Sequence, residues 1–347
     1  MDTSTPFDVA VVGVGMGSAP HLCSLADLRA DFPLTWACAR DAQRLAAVQL
    51  PDGVRRTTQL DDILHDPRVR AVLVLTPPSA HLEVVRKVAA AGKHVLVEKP
   101  LELDLARAHE LVACCEAAGV KLAVMLQYRM REGTLRLAEL LRSGALGSLT
   151  SASAHVRWWR PQSYYDEPGR GTLARDGGGV LMTQAIHTLD LLLHLIGPPH
   201  GVIGAVWTSA VHRMQCEDSA SALLHYADGV VAVVQATTAA YPGYPERIEI
   251  NASLGTATLE AGRLQVAYAD GRSETLAADT GSGGGADPMA FDHGPHRAVI
   301  RDFFVAVRDD RAPAVSGRSA ILVHTVIEAI IASSATGARV VLAGDIA

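Results

Sequence analysis

A doubly wound parallel α/β domain, followed by an α+β domain on a large, mostly antiparallel sheet, is the fold class this sequence predicts. Three observations carry it. Short β-branched runs alternate with helical stretches of roughly ten to fifteen residues as far as Gln127. A glycine-rich turn joins the first such run to the first helix. Beyond Gln127 the rhythm changes to strand-like runs separated by turn signals.

The chain has 347 residues, enough for about two domains at roughly 150 residues each. The change of rhythm places them at 1–127 and 128–347. Hydrophobic residues make up 49% and charged residues 20%, so sizeable cores are expected and disorder is not. The net charge is −6, no basic stripe is visible and aromatics are only 5%. That argues against a nucleic-acid or anionic-membrane partner. Cys23, Cys38, Cys114, Cys115 and Cys216 form neither a CxxC pair nor a disulfide framework, which suits a reducing cytoplasm. Residues 1–8 lack the basic and apolar regions of a secretory signal, and no uninterrupted apolar run approaches ~18 residues. A soluble cytoplasmic protein is expected.

Asp8–Val12 (DVAVV) reads as a buried parallel strand. It runs into Gly13-Val14-Gly15-Met16-Gly17-Ser18 and then a helical stretch through Arg29. Strand, glycine turn and helix in that order are the setting of a dinucleotide fingerprint. Gly13 permits the tight turn, Gly15 lets the backbone approach a pyrophosphate, and Ser18 beside Gly17 fills the slot that wants a small side chain. Phosphates would sit on the helix N-terminus; a plain tight turn is the alternative. Further strands follow at Leu34–Ala39, at Val69–Leu75 before Thr76-Pro77-Pro78, at Lys93–Val97 before Glu98-Lys99-Pro100, and at Lys121–Leu126. Helices at Ser79–Ala91 and Asp104–Ala118 separate the last three. Ligands of such sheets bind beyond the carboxyl ends of the strands, where Gly13, Ala39, Thr76 and Lys99 fall.

The end of the second strand bears on the cofactor. A carboxylate there would bond an adenosine ribose and repel a 2′-phosphate. This sequence has Cys38-Ala39-Arg40 and no carboxylate before Asp41, which favours NADP over NAD. A solvated surface role for Arg40 is the alternative.

In the second half, a helix near Arg131–Arg142 and an extended run at Ser148–Trp159 precede an irregular loop through Asp176. Ser219–Tyr226 and Val230–Thr238 flank Asp228-Gly229, the signal of a two-residue hairpin. Arg247–Ala252, Thr256–Glu260 and Leu264–Tyr268 continue the sheet, the glycine-rich stretch 281–287 is a surface loop or lid, and Arg318–Thr336 is a final helix. On a helix Val180–Ile196, Thr183, His187, Asp190 and His194 fall at i, i+4, i+7 and i+11, sharing one narrow face. That face reads as a pocket wall, as a solvent-facing polar stripe, or as a zinc site from His187, Asp190 and His194.

With GVGMGS, TPPSAH and AGKHVLVEKPL, then the stretch from Asp176-Gly177-Gly178-Gly179 to His187 and Asp190, and VIEAIIASSATGARV near the end, the chain resembles the Gfo/Idh/MocA family of NAD(P)-dependent oxidoreductases over nearly its whole length. Trp159-Arg160-Pro161, Tyr164-Tyr165 and Arg170-Gly171-Thr172 also look like members that oxidise the 3-hydroxyl of UDP-N-acetylglucosaminuronic acid. The resemblance implies a Rossmann domain and hydride transfer at a secondary hydroxyl, or its ketone, of a sugar, cyclitol or sugar nucleotide. It implies that Lys99 contacts the substrate hydroxyl and the nicotinamide ribose, that His187 is the acid/base, and that Asp190 holds the sugar. Pro77, Pro78 and Glu98 match positions lining the nicotinamide half of the cleft. Gly13, Gly15, Met16, Gly17, Arg40, Thr76, His81 and Gln127 complete the expected cofactor residues.

Thr183, Arg157 and Tyr165 join Asp190 as expected substrate residues, although Arg157, Trp158, Arg160, Tyr164 and Tyr165 suit ordinary sheet-edge packing equally well. Thr183 departs from the aspartate that many sugar dehydrogenases carry four residues before the histidine, leaving His187 to act more alone. No metal is expected. Members commonly pair through the antiparallel sheet, so a homodimer or homotetramer is expected. Tyr128-Arg129 either faces the cleft or starts a helix, Cys114-Cys115 are packing residues, and His293 and His296 carry no assigned role. Two other readings stay open: a reductase or dehydrogenase of a non-sugar carbonyl or diol, and a regulatory protein that binds the dinucleotide without turnover.

Overall fold

The computed structural model describes residues 6–277 and 292–342; the glycine-rich stretch 281–287 lies outside them. The chain divides into two compact units, Met1–Gln127 with His293–Ala320, and Tyr128–Asp292 with Ile321–Ala347. The division at Gln127 falls where the sequence rhythm changes. The continuous second domain 128–347 differs from what is observed, because His293–Ala320 returns to the first unit. The cause is apolar: helix Gly294–Arg308 buries Val299, Ile300, Phe303, Phe304 and Val307. The Phe304 ring lies 5.9 Å from Phe7 and 4.9 Å from Phe32.

In the first unit, β1 (Asp8–Val12), β2 (Leu34–Cys38), β3 (Arg55–Thr57), β4 (Val69–Val74), β5 (His94–Val97) and β6 (Leu122–Val124) form one sheet in the order β3-β2-β1-β4-β5-β6. Every pairing is parallel. Such a sheet is covered on both faces, which explains the unbroken Val/Leu/Ala runs, with Val9, Ala10, Val11, Val72 and Leu73 at 0% exposure. The strand order reverses between β1 and β4, the switch point where doubly wound sheets hold ligands. Gly13 sits there with φ +98°, and a Cβ on it would lie 2.7 Å from the carbonyl carbon and oxygen of Leu75. Only glycine combines that backbone angle with that close approach. Strand β3 and the short helices Ala42–Ala47 and Leu60–Leu64 carry too little periodicity to be read from sequence.

The second unit holds β7 (Leu149–Arg157), β8 (Gly201–Trp207), β9 (Ser219–His225), β10 (Val231–Thr237), β11 (Arg247–Ala252), β12 (Gly255–Glu260), β13 (Arg263–Tyr268), β14 (Ser273–Leu276) and β15 (Val340–Val341). They form a nine-stranded sheet in the order β14-β13-β12-β11-β7-β10-β9-β8-β15. Strands β7 and β10 run parallel, and the other pairs are antiparallel. One face of β9 and β10 is buried through Ala220, Ala222, Leu224, Ala232, Val234 and Ala236. On the other face Ile203, Leu223 and Val233 form a cross-strand row, each about two-fifths exposed. The hairpin differs in detail from the two-residue turn. Tyr226 and Val230 pair through a 2.9 Å backbone bond, so Ala227-Asp228-Gly229 is a three-residue loop, with Gly229 at φ +84°.

The helix expected over Val180–Ile196 is broken into Val180–Thr183 and Ile186–Ile196, and the segments Leu173–Thr183 and Ile186–Ile196 meet at 53°. The Thr183 hydroxyl donates to the Gly179 carbonyl at 2.7 Å, the threonine back-bonding that bends helices. At the break the Ala185 N–H reaches the Val180 carbonyl, one residue beyond the α-helical partner. Thr183 therefore leaves the straight stripe, while His187 and Asp190 stay together on one helix. The long helix Gly317–Thr336 is apolar enough by length and composition to cross a membrane. Its buried Val323, Val326, Ile327 and Ile330, together with buried His324 and Ser333, make it a core helix of the protein.

Candidate active site

In the first unit the candidate residues gather at the carboxyl ends of β1, β4 and β5. Gly15 and Gly17 are exposed, and a Cβ on either would meet nothing within 4 Å, so the turn presents bare backbone before helix Ala19–Asp27. A pyrophosphate needs that kind of cradle. Thr76 follows β4, and its hydroxyl oxygen is buried with no hydrogen-bond partner among the described residues. Pro77 is exposed, and Pro78 opens the 3-10 turn Pro78–Ala80. Gln127 is buried at the end of the unit's first segment. Arg40 is exposed just past β2. The first carboxylate after that strand, Asp41, accepts the Gln43 and Arg44 backbone N–H groups at 2.9 and 3.0 Å as a helix N-cap.

The turn carrying Lys99 is pinned from several sides. The Glu98 carboxylate accepts the Lys99 backbone N–H at 2.9 Å and lies 2.6 Å from Nε2 of His21. Burial would raise the Glu98 pKa, but the His21 hydrogen bond and the nearby positive groups bring it down to about 2. Three residues after Lys99, wholly buried Glu102 accepts two 2.9 Å bonds from Arg107 and one each from the Leu82 and Leu103 backbone. His81, also wholly buried, places its ring nitrogens 2.8 Å from the Thr76 carbonyl and 3.2 Å from that of Leu101. Its ring thus ties the loop after β4 to the loop after β5. Burial pushes its pKa down, against the two carbonyl contacts, which favour the protonated ring.

In the second unit His187 is buried on helix Ile186–Ile196, and its ring stacks on Tyr128 at 4.9 Å and 26°. The guanidinium of Arg131 lies 3.4 Å from the Tyr128 ring centre and donates to Glu246 at 2.7 Å. Tyr128, Arg131 and Glu246 are all at least nine-tenths buried. One residue after Tyr128, Arg129 grips Asp190 by two hydrogen bonds, at 2.8 and 2.5 Å, and both side chains are buried. Tyr128 and Arg129 thus hold adjacent turns of the helix that carries His187. At the start of the preceding short helix, Glu217 accepts from the Gly179 and Leu181 backbone at 3.1 Å each. A Cβ on Gly179 would lie 1.8 Å from the Glu217 carbonyl oxygen, which accounts for a glycine there.

The substrate candidates have partners of their own. Asp190 is engaged by Arg129. The Tyr165 hydroxyl pairs with the Thr238 hydroxyl at 2.7 Å. Arg157 lies over the Tyr244 ring at 5.0 Å, and Thr183 binds the Gly179 carbonyl and the Gln184 side chain. His194 is exposed, so His187, Asp190 and His194 do not converge as metal ligands. Among the described residues, His21, Glu98 and His296 do bring potential donor atoms within 4.8 Å of one another. The 2.6 Å contact already joins two of them as an imidazole–carboxylate pair. His21, Arg131, Glu102 and Glu246 are not visible in the sequence, because their roles depend on partners distant in the chain.

Residues 7–126 match the sequence model described as "Oxidoreductase family, NAD-binding Rossmann fold", and residues 134–258 match "GFO/IDH/MocA C-terminal domain". The chain belongs to the Gfo/Idh/MocA family. This Gfo/Idh/MocA oxidoreductase is 28% identical to D-apiose dehydrogenase of Paraburkholderia graminis, over 97% of this chain and 90% of that one. It is 29% identical to myo-inositol 2-dehydrogenase of Thermotoga maritima, over 56% of this chain and 57% of the relative. Among solved structures, WlbA dehydrogenase from Bordetella pertussis, in complex with NADH and UDP-GlcNAcA, is 27% identical, with a TM-score of 0.83 over 98% of this chain and 100% of that chain. The bare glycine turn of this family member fits the dinucleotide that its matched Rossmann model binds.

The Arg129–Asp190 pair gives a stability test. Arg129→Met or Asp190→Leu alone leaves a buried charge without its partner and is expected to cost about 3–5 kcal/mol. The double variant should cost less than the sum of the two. Urea unfolding of all three variants checks this, and additive losses would show that the two charges are not coupled.

Proposed function

We propose that this chain is an NAD(P)-dependent dehydrogenase or reductase acting on a secondary hydroxyl, or the corresponding ketone, of a sugar, cyclitol or sugar nucleotide. The observation that carries the reading is Lys99, fixed at the carboxyl end of β5 beside a glycine turn shaped for a dinucleotide, in a chain that also keeps a buried His187 at the family's acid/base position. The names of the apiose and inositol dehydrogenases, and the sugar nucleotide in the Bordetella structure, support a polyhydroxylated substrate.

Gly13, Gly15, Gly17, Thr76, Pro77, Pro78 and Glu98 would hold the dinucleotide. When bound, the nicotinamide supplies the hydride acceptor or donor. The chain's own residues handle protons and charge. A neutral imidazole can take a hydroxyl proton, the role given to His187. Stacking on Tyr128 limits the rotation of that ring. The Lys99 ammonium stabilises negative charge developing on the reacting oxygen. With Thr183 in place of a carboxylate, the second unit offers His187 no acidic relay from that position.

Removing either group should lower turnover far more than cofactor affinity. His187→Ala is expected to lose about 10²–10⁴-fold in kcat, the usual scale of general acid–base help, and Lys99→Met a comparable factor. Steady-state kinetics on a panel of sugars and cyclitols, alongside NADH and NADPH dissociation constants, separates an enzyme from a cofactor sensor. Unchanged kcat in both variants would place the chemistry elsewhere.

NADP is the proposed preference, supported by Arg40 at the end of β2 and by the capping role of Asp41. Arg40→Ala should weaken NADPH by ~1–3 kcal/mol and leave NADH unchanged. Equal wild-type affinities for the two would sink this preference. The proposed assembly is a homodimer or homotetramer through the open sheet face bearing Ile203, Leu223 and Val233. Light scattering at micromolar concentration should give at least twice the chain mass; a monomer would remove the assembly claim.

A further inference from the structure

We infer that His21 is a positioning residue for the cofactor half of the site: its ring N–H fixes the Glu98 carboxylate and, through it, the turn that carries Lys99. The inference rests on the reading of the first unit as a nicotinamide-dinucleotide site. It adds to that reading a residue on a different element from the glycine turn and from Lys99.

Three segments far apart in the chain meet at this point. His21 lies in the first turn of helix Ala19–Asp27, Glu98 directly follows β5, and His296 lies in the first turn of helix Gly294–Arg308. His21 is 0% exposed, and its Nε2 lies 2.6 Å from Oε1 of Glu98. Oε2 of the same carboxylate accepts the Lys99 backbone N–H at 2.9 Å. Both oxygens are therefore held, one by a side chain on the helix that follows the glycine turn and one by the backbone of Lys99 itself. The His296 ring meets the His21 ring edge-on, at 5.2 Å and 83°. The segment that returns to the first unit thus helps to clamp the imidazole.

The chemistry fixes which group carries the proton. Glu98 is ionised, so its carboxylate only accepts hydrogen bonds. The proton in the 2.6 Å contact therefore sits on Nε2 of His21. The Nδ1 atom is buried without a hydrogen-bond partner among the described residues. A second ring proton there would leave a buried donor unsatisfied, which is costly. An Nε2–H aimed at Oε1 of Glu98 satisfies the contact. A bond to a charged acceptor is stronger and more directional than a neutral one, so it restrains the carboxylate better than packing alone. Without it, Glu98 keeps its charge in a largely buried place and is free to turn away from the Lys99 N–H.

Two measurements test this. In the first, NADH and NADPH are titrated against wild type, His21→Leu and His21→Gln, following nicotinamide fluorescence. Leucine removes the donor and keeps bulk, whereas glutamine places an amide N–H at a similar reach. His21→Leu should weaken binding about tenfold, the scale of one charge-assisted bond, and His21→Gln should stay within about twofold of wild type. A folded His21→Leu with wild-type affinity overturns the proposal, as does a folded His21→Gln as weak as His21→Leu. A wild type that binds neither dinucleotide overturns the underlying reading, and this proposal with it. The second measurement needs no His21 variant and no cofactor, so it decides the matter even if these variants fail to fold. Nitrogen-15 histidine NMR of the wild-type chain should show His21 as the Nε2–H tautomer, with a signal that shifts in Glu98→Gln. An Nδ1–H ring, or a signal indifferent to Glu98→Gln, overturns the proposal.

Discussion

The approach of β1 to β4 at Gly13 is the constraint on which the first unit depends. Parallel strands bring their carboxyl ends to one edge of a sheet, and the order β3-β2-β1-β4-β5-β6 reverses its direction of winding between β1 and β4. At that point the chain leaving β1 must turn at once, with the backbone of Leu75 and Thr76 directly against it. A side chain on residue 13 would collide with that backbone and strain its own φ. Glycine there lets the turn close and leaves Gly15 and Gly17 as open backbone facing outward. The loops after β4 and β5 come to the same edge, and buried polar contacts hold them: His81 between the Thr76 and Leu101 carbonyls, Glu102 on Arg107, and His21 on Glu98.

The second unit solves a related problem by other means. A buried imidazole, His187, is held on a helix whose other buried side chains are mostly apolar. Helix Ile186–Ile196 is fixed by two neighbouring side chains of one short turn, Tyr128 stacking on His187 and Arg129 pairing with Asp190. Behind Tyr128 a second buried ion pair, Arg131 with Glu246, supports the ring. Buried pairs of this kind contribute little net stability, because desolvation offsets most of the attraction. Their value is directional: a bidentate guanidinium–carboxylate pair has one good geometry, and helix rotation or sliding would break it. The break at Gln184, with Thr183 bonded back to Gly179, sets the direction in which the helix leaves the glycine run.

Much of this was legible in the amino-acid order, because it is local. The alternation of apolar runs and helices, the glycine turn at Gly13, the change of rhythm after Gln127 and the presence of Lys99 and His187 are all read over windows of a few to about fifteen residues. Period and turn chemistry act over the same range. Where a local signal was incomplete, the reading slipped by a small amount. Asp228-Gly229 marks the hairpin, but the pairing of Tyr226 with Val230 makes the loop three residues long. The apolar period across Val180–Ile196 predicts one helix, and it is divided where the Ala185 N–H reaches back to the Val180 carbonyl.

The sequence by itself determined the class of both sheets, the fingerprint turn and the identity of the groups able to handle a proton or a charge. The tertiary structure alone decided what those groups are fastened to. That Asp190 is held by Arg129, that His21 reaches Glu98, and that residues 293–320 fold back to place Phe304 on Phe7 and Phe32 and His296 on His21 could not be read from the chain. The physical reason is that an amphipathic period specifies which face of a helix seeks cover but not which surface provides it. A buried charge likewise demands a partner without naming one. Both choices are settled only when the strands and helices pack.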